Sequence, residues 1–83
     1  MKRVAVISAI LEDPENAQSE FNQLVSRFKG IVKGRMGLPM ADYGITVIVL
    51  TLVGDMDEIN GLTGRIGKID GVQVKTSISK KEV

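Results

Sequence analysis

The run Ile45-Thr46-Val47-Ile48-Val49-Leu50-Thr51-Leu52-Val53 constrains this chain more than any other segment. It is rich in β-branched and aliphatic residues and stops at Gly54-Asp55, which predicts a strand over about Tyr43 to Val53. At nine apolar-rich residues it is too short to cross a bilayer as a helix. Strand geometry puts Ile45, Val47, Val49 and Val53 on one face and Ile48, Leu50 and Leu52 on the other. Both faces therefore need cover, which water on one side does not give.

The flanking segments supply part of that cover. Lys2 to Leu11 reads as a second strand with the same two-faced character, Val4, Val6 and Ile10 opposing Ile7 and Leu11. Asp13 then offers an N-cap and Pro14 a first helical position for a helix to about Phe28. Ala17, Phe21, Leu24, Val25 and Phe28 form its apolar stripe, and Gly30 ends it. A shorter strand is expected over Ile31 to Met36, followed by a loop, Gly37 to Asp42. After the long strand, Asp55 and Glu58 have capping-box spacing, and Ile59, Leu62, Ile66 and Ile69 give the core face of a second helix. Asp70-Gly71 makes a turn into a cleanly alternating strand, Val72 to Ile78. The polar tail from Lys80 to Val83 is expected to fray.

The order is β-α-β-β-α-β, an α+β ferredoxin-like sandwich with a four-stranded antiparallel sheet and two helices on one face. Residues 1–83 form one domain. The two central strands are apolar on both faces, so one apolar row is left facing away from the helices. A row of that size is most simply covered by a second copy of the chain. Val47, Val49, Ile48, Leu50 and Leu52 are the candidate oligomer-interface residues, and a dimer or tetramer is expected.

Composition narrows the chemistry. A chain of 83 residues buries roughly 60% of the surface it exposes when unfolded, so a partner would add useful stability. It has no cysteine and no histidine. Disulfides are excluded, and thiolate and imidazole are missing from any metal site or acid–base pair. No cofactor, metal site or catalytic residue is expected, and the chain does not read as an enzyme. A Ser–Lys pair is the one nucleophile arrangement left, and nothing points to one. Eleven basic against ten acidic residues give a net charge of +1, unlike a nucleic-acid binder or a membrane-surface domain. The basic start Met1-Lys2-Arg3 is followed by an apolar stretch cut short at Glu12 and Asp13, with no cleavage pattern, so a cytoplasmic location is expected.

The stretch Gly61-Leu62-Thr63-Gly64-Arg65-Ile66-Gly67-Lys68 has the look of a phosphate loop without its spacing. A Walker loop has four residues between its first glycine and Gly-Lys-Ser/Thr; here five intervene and Ile69 follows the lysine. The dinucleotide pattern also fails. Gly61 to Gly64 matches the G-x-x-G of RNA-binding KH domains, but there it joins two helices and here it lies inside one. Glu12, Asp13 and Glu15 could suit a hard cation, although capping and solvation explain them more simply.

Three segments together carry a resemblance: Arg35-Met36-Gly37-Leu38-Pro39, Gly54-Asp55-Met56-Asp57-Glu58-Ile59, and Leu62 through Thr76 ending in Gly71-Val72-Gln73-Val74-Lys75-Thr76. They resemble the iron-only hydrogenase system regulator family, whose fold is related to ACT domains and to the C-terminal domain of nickel-responsive repressors. The resemblance implies a small oligomeric regulatory domain with a protein partner in hydrogenase regulation. It departs from the nickel repressors in lacking their histidine and cysteine ligands. It departs from amino-acid-binding ACT domains in having Glu15 after Asp13-Pro14 where those often have glycine, which disfavours an amino-acid ligand. No helix-turn-helix is present, so control of transcription would act through another protein. A small-molecule effector between subunits is the second reading. Glu12, Asp13, Asn16, Gly37, Leu38 and Pro39 are its candidate ligand-binding residues, adjacent only if subunits pair as ACT domains do.

Overall fold

The computed structural model describes residues 1–83. In chain order it contains β1 (Arg3–Leu11), α1 (Pro14–Ser26), β2 (Val32–Met40), a 3-10 turn (Ala41–Tyr43), β3 (Ile45–Gly54), α2 (Met56–Ile66) and β4 (Val72–Glu82). The strands form one antiparallel sheet in the order β2-β3-β1-β4. The two strands with apolar residues on both faces are thus the central pair.

Alternation along these strands decides what goes inside. Ala5, Ile7, Ala9 and Leu11 of β1 and Ile48, Leu50 and Leu52 of β3 point into one buried cluster. They meet Ala17, Phe21, Leu24 and Val25 from α1, and Ile59, Leu62 and Ile66 from α2. The helical stripes are therefore the ones the sequence spacing marks. Each fully buried Leu, Ile or Phe contributes on the order of 1.5–3 kcal/mol. The small Ala5 and Ala9 lie beneath the helices and let them approach the sheet.

Local chemistry sets the N-terminus of α2 firmly and that of α1 less so. The Asp55 carboxylate accepts from the Glu58 amide at 2.8 Å, and the Glu58 carboxylate accepts from the Asp55 amide at 3.2 Å, completing the capping box. Asp13 differs from expectation. It occupies the N-cap position of α1, but its side chain accepts from the Asn16 side-chain amide at 2.8 Å and caps no backbone amide. Gly44 and Gly71 adopt positive φ, 65° and 77°, and turn the chain into β3 and β4.

Two further expectations need correction. The segment Gly37-Leu38-Pro39 is not a loop; β2 continues through it to Met40. It pairs in register with β3, Leu38 opposite Val47 and Pro39 opposite Thr46. Glycine and proline obscure the strand pattern, yet an edge strand tolerates proline because one of its sides needs no ladder donor. The tail does not fray either: β4 runs to Glu82. The Arg3 guanidinium donates to the Ser79 carbonyl at 3.0 Å and pairs with Glu82 at 3.3 Å. The Val83 amide donates to the Lys2 carbonyl at 2.9 Å. The ion pair is partly exposed and adds at most about 1 kcal/mol.

Candidate functional site

The helices cover one face of the sheet and leave the other open. Register shows which residues share that open face. Val4, Val6, Ser8 and Ile10 of β1 lie opposite Val53, Thr51, Val49 and Val47 of β3. Outward from β3, Val49, Val47 and Ile45 lie opposite Met36, Leu38 and Met40 of β2. On the other side, Val6, Ser8 and Ile10 face Ser77, Lys75 and Gln73 of β4. The open face is therefore apolar from β2 through β3 to β1 and polar along β4.

This geometry separates the expected interface residues. Ile48, Leu50 and Leu52 are buried in the core beneath the helices and take no part in the open face. The alternation in β3 made both rows equally eligible in the sequence; the helices take this one. Val47 and Val49 belong to the open face and are partly exposed. The largest exposed apolar groups on it are Met36 at 67%, Leu38 at 55%, Val6 at 41% and Ile10 at 38%. The sequence marks Val6 and Ile10 as one face of β1 and Leu38 as a ligand-binding candidate, but none of the four is among the expected interface residues. For the β2 residues the signal is Met36-x-Leu38-x-Met40, a period-two row that runs from the end of the expected strand into the expected loop.

The six candidate ligand positions do not converge within one chain. Asp13 and Asn16 line a cavity of about 470 Å³ between the start of α1 and the α2–β4 turn, together with Glu20, Lys68 and Asp70. Glu12 is engaged beside it, its carboxylate accepting from the Gln73 side-chain amide and its amide donating to the Gly71 carbonyl. Pro39 lines a different hollow of about 300 Å³ with Pro14, Glu15 and Gln18. Gly37 borders neither cavity, and Leu38 lies on the open face. The glycine-rich stretch lies within and just beyond α2, as helix rather than loop. Within it the Thr63 hydroxyl donates to the Ile59 carbonyl at 2.9 Å and accepts from Thr76 of β4 at 2.8 Å. No three carboxylates converge as a metal-ligand set, and no helix is long and apolar enough to cross a membrane.

A helix-covered sheet of this order is an ACT-like ferredoxin-like sandwich. The ACT domain from the GTP pyrophosphokinase of Chlorobium tepidum superposes with a TM-score of 0.77 at 20% identity, over 93% of this chain and 100% of that one. The C-terminal domain of the MgtC protein from Mycobacterium tuberculosis gives 0.72 at 12% identity, over 98% and 92%. These two likenesses show the fold alone. The profile of the TM1266-like family, described as iron-only hydrogenase system regulators, matches residues 3–76, and the chain belongs to that family. The uncharacterized protein TM1266 from Thermotoga maritima is 35% identical, with a TM-score of 0.92 over 96% of this chain and 100% of that one. No curated protein matches the sequence.

Proposed function

We propose that this chain is a cytoplasmic, non-catalytic regulatory domain of the iron-only hydrogenase system that works as a self-associated unit through protein–protein contacts. Family membership supports the regulatory role. The observation that carries the mechanism is the one-sided open face, where Met36, Leu38, Val47, Val49, Val6 and Ile10 form an apolar surface interrupted by Ser8 and Thr51. Exposed apolar patches of this kind mark interaction sites in soluble proteins. A second copy supplies a matching apolar surface by symmetry. The polar row Gln73, Lys75 and Ser77 bounds the patch, so a partner copy is expected to sit toward β2 and leave β4 in water.

Association stabilises the folded state by mass action. The melting temperature is therefore expected to rise by several degrees as protein concentration rises from micromolar to millimolar. A melting temperature independent of concentration across that range would remove the proposal's basis.

A second reading is an effector bound between subunits. The cavity beside Asp13 and Asn16 favours it, with Glu12 adjacent and Gly37, Leu38 and Pro39 supplied by the neighbouring copy. A thermal-shift screen with amino acids, nucleotides and divalent metals tests it. Saturable stabilisation that is lost in Asn16→Ala supports it, and no response to any of them counts against it.

A further inference from the structure

The glycine-rich stretch that fails as a phosphate loop has a different geometry in the fold. Arg65 lies in the last turn of α2 and Lys68 just beyond it, and both border α1, where Arg27 stands at the C-cap. The three cations line one groove of about 210 Å³ between the helices, with Glu20, Gln23 and Leu24 completing its walls. The chain's one ion pair joins Arg3 to Glu82, so none of the three has a carboxylate partner. With only Glu20 to offset them, the groove is locally two charges positive on a chain whose net charge is +1.

Each cation has a local reason to be where it is. Basic groups near a helix C-terminus offset the negative end of its dipole. That accounts for Arg27 and Arg65 one at a time. It does not account for their meeting Lys68 across a single groove, which adds repulsion unless an anion is shared. Two further features make the groove more than a solvated surface. The Arg65 guanidinium lies 5.6 Å from the centroid of the Phe28 ring, so a cation–π contact biases its position at the groove. Gly64 occupies a helix-interior position where an added Cβ would meet nothing within 4 Å. Glycine there is less favourable to the helix than alanine, with no packing constraint to explain it. It leaves the helix surface beside Arg65 open.

We infer that Arg27, Arg65 and Lys68 form a binding groove for a small anion bearing two adjacent phosphate groups. Arginine presents a planar fork matched to phosphate oxygens, and lysine adds a point charge. The groove is short. Asp13 and Asp70 line the neighbouring cavity at its end, so the positive surface does not continue as a nucleic-acid track would require. The site lies on the helix layer, away from the open sheet face, and stands independently of the self-association proposal.

The test is calorimetric titration of inorganic pyrophosphate into the full chain at fixed ionic strength, with backbone amide shifts recorded in parallel. Saturable binding is expected, with shifts confined to residues 20–28 and 61–69. Arg65→Gln and Lys68→Gln are each expected to weaken it about tenfold, as loss of one charge-assisted contact does. Lys80→Gln with Lys81→Gln, which together remove two charges from β4 outside the groove lining, is expected to leave it unchanged. Arg27→Gln serves as a further variant that disturbs no aromatic contact, and it too is expected to weaken binding. The inference is overturned by non-saturable binding, by shifts spread over the Lys80–Lys81 end, or by groove variants that bind as the unaltered chain does.

Discussion

Among single residues, the glycines show how differently one residue type is used. Gly54 ends β3 in the core, and a Cβ built there would lie 2.9 Å from Ile31 Cγ2 and 3.3 Å from a Glu58 carboxylate oxygen. Both neighbours are fixed, Ile31 by burial and Glu58 by the capping box. Gly54→Ala is therefore expected to destabilise by about 1–3 kcal/mol, as overpacking does, measured as a lowered urea midpoint with unchanged slope. Gly64→Ala is expected to act in the opposite direction. It fills open space on an exposed helix surface and is expected to stabilise by up to about 1 kcal/mol in the same measurement. From the sequence both positions read only as glycines near α2. What tells them apart is the spatial neighbour, Ile31 in one case and solvent in the other.

For whole elements, the two helices begin with the same kind of residue and different chemistry. Asp55 caps α2 through a reciprocal box, whereas Asp13 gives its carboxylate to Asn16. Asp55→Ala is expected to cost about 1 kcal/mol, and Asp13→Ala distinctly less, by equilibrium urea unfolding of both variants. The helices and central strands were legible because their periodicities are long and uninterrupted: Phe21, Leu24 and Val25 on α1, Ile59, Leu62 and Ile66 on α2, and Ile45 through Val53 on β3. The edge strands were legible only in part. Gly34, Gly37 and Pro39 hide the period of β2, and its pairing comes from β3 rather than from its own propensity. Lys80, Lys81 and Glu82 look like a solvated tail, but β1 and the Arg3–Glu82 pair hold them as an edge strand. The candidate interface suffered from the same ambiguity. A strand with two apolar rows does not reveal which row the helices will cover, and the row with Ile48, Leu50 and Leu52 became core.

In the whole molecule, the sheet has two unlike edges and two unlike faces. The helix face is closed. The open face grades from the apolar β2 row of Met36 and Leu38 to the polar β4 row of Gln73, Lys75 and Ser77. The edges follow the same gradient: β4 carries Lys75, Lys80 and Lys81, the kind of charged edge that discourages strand pairing. The β2 edge has Lys33 and Arg35 only at its start. Association through the β2 half of the open face is the central claim, and Leu38 is its most direct probe. The side chain is 55% exposed in the single chain, so a charge placed there leaves the core untouched. The decisive measurement is sedimentation equilibrium of the unaltered chain and of Leu38→Asp, at micromolar to hundred-micromolar concentration. The unaltered chain is expected to sediment as a dimer or larger assembly, and Leu38→Asp as a folded monomer with an unchanged far-ultraviolet circular dichroism spectrum. An unaltered chain that sediments as a monomer throughout, or a Leu38→Asp chain that assembles as the unaltered one does, would contradict the claim.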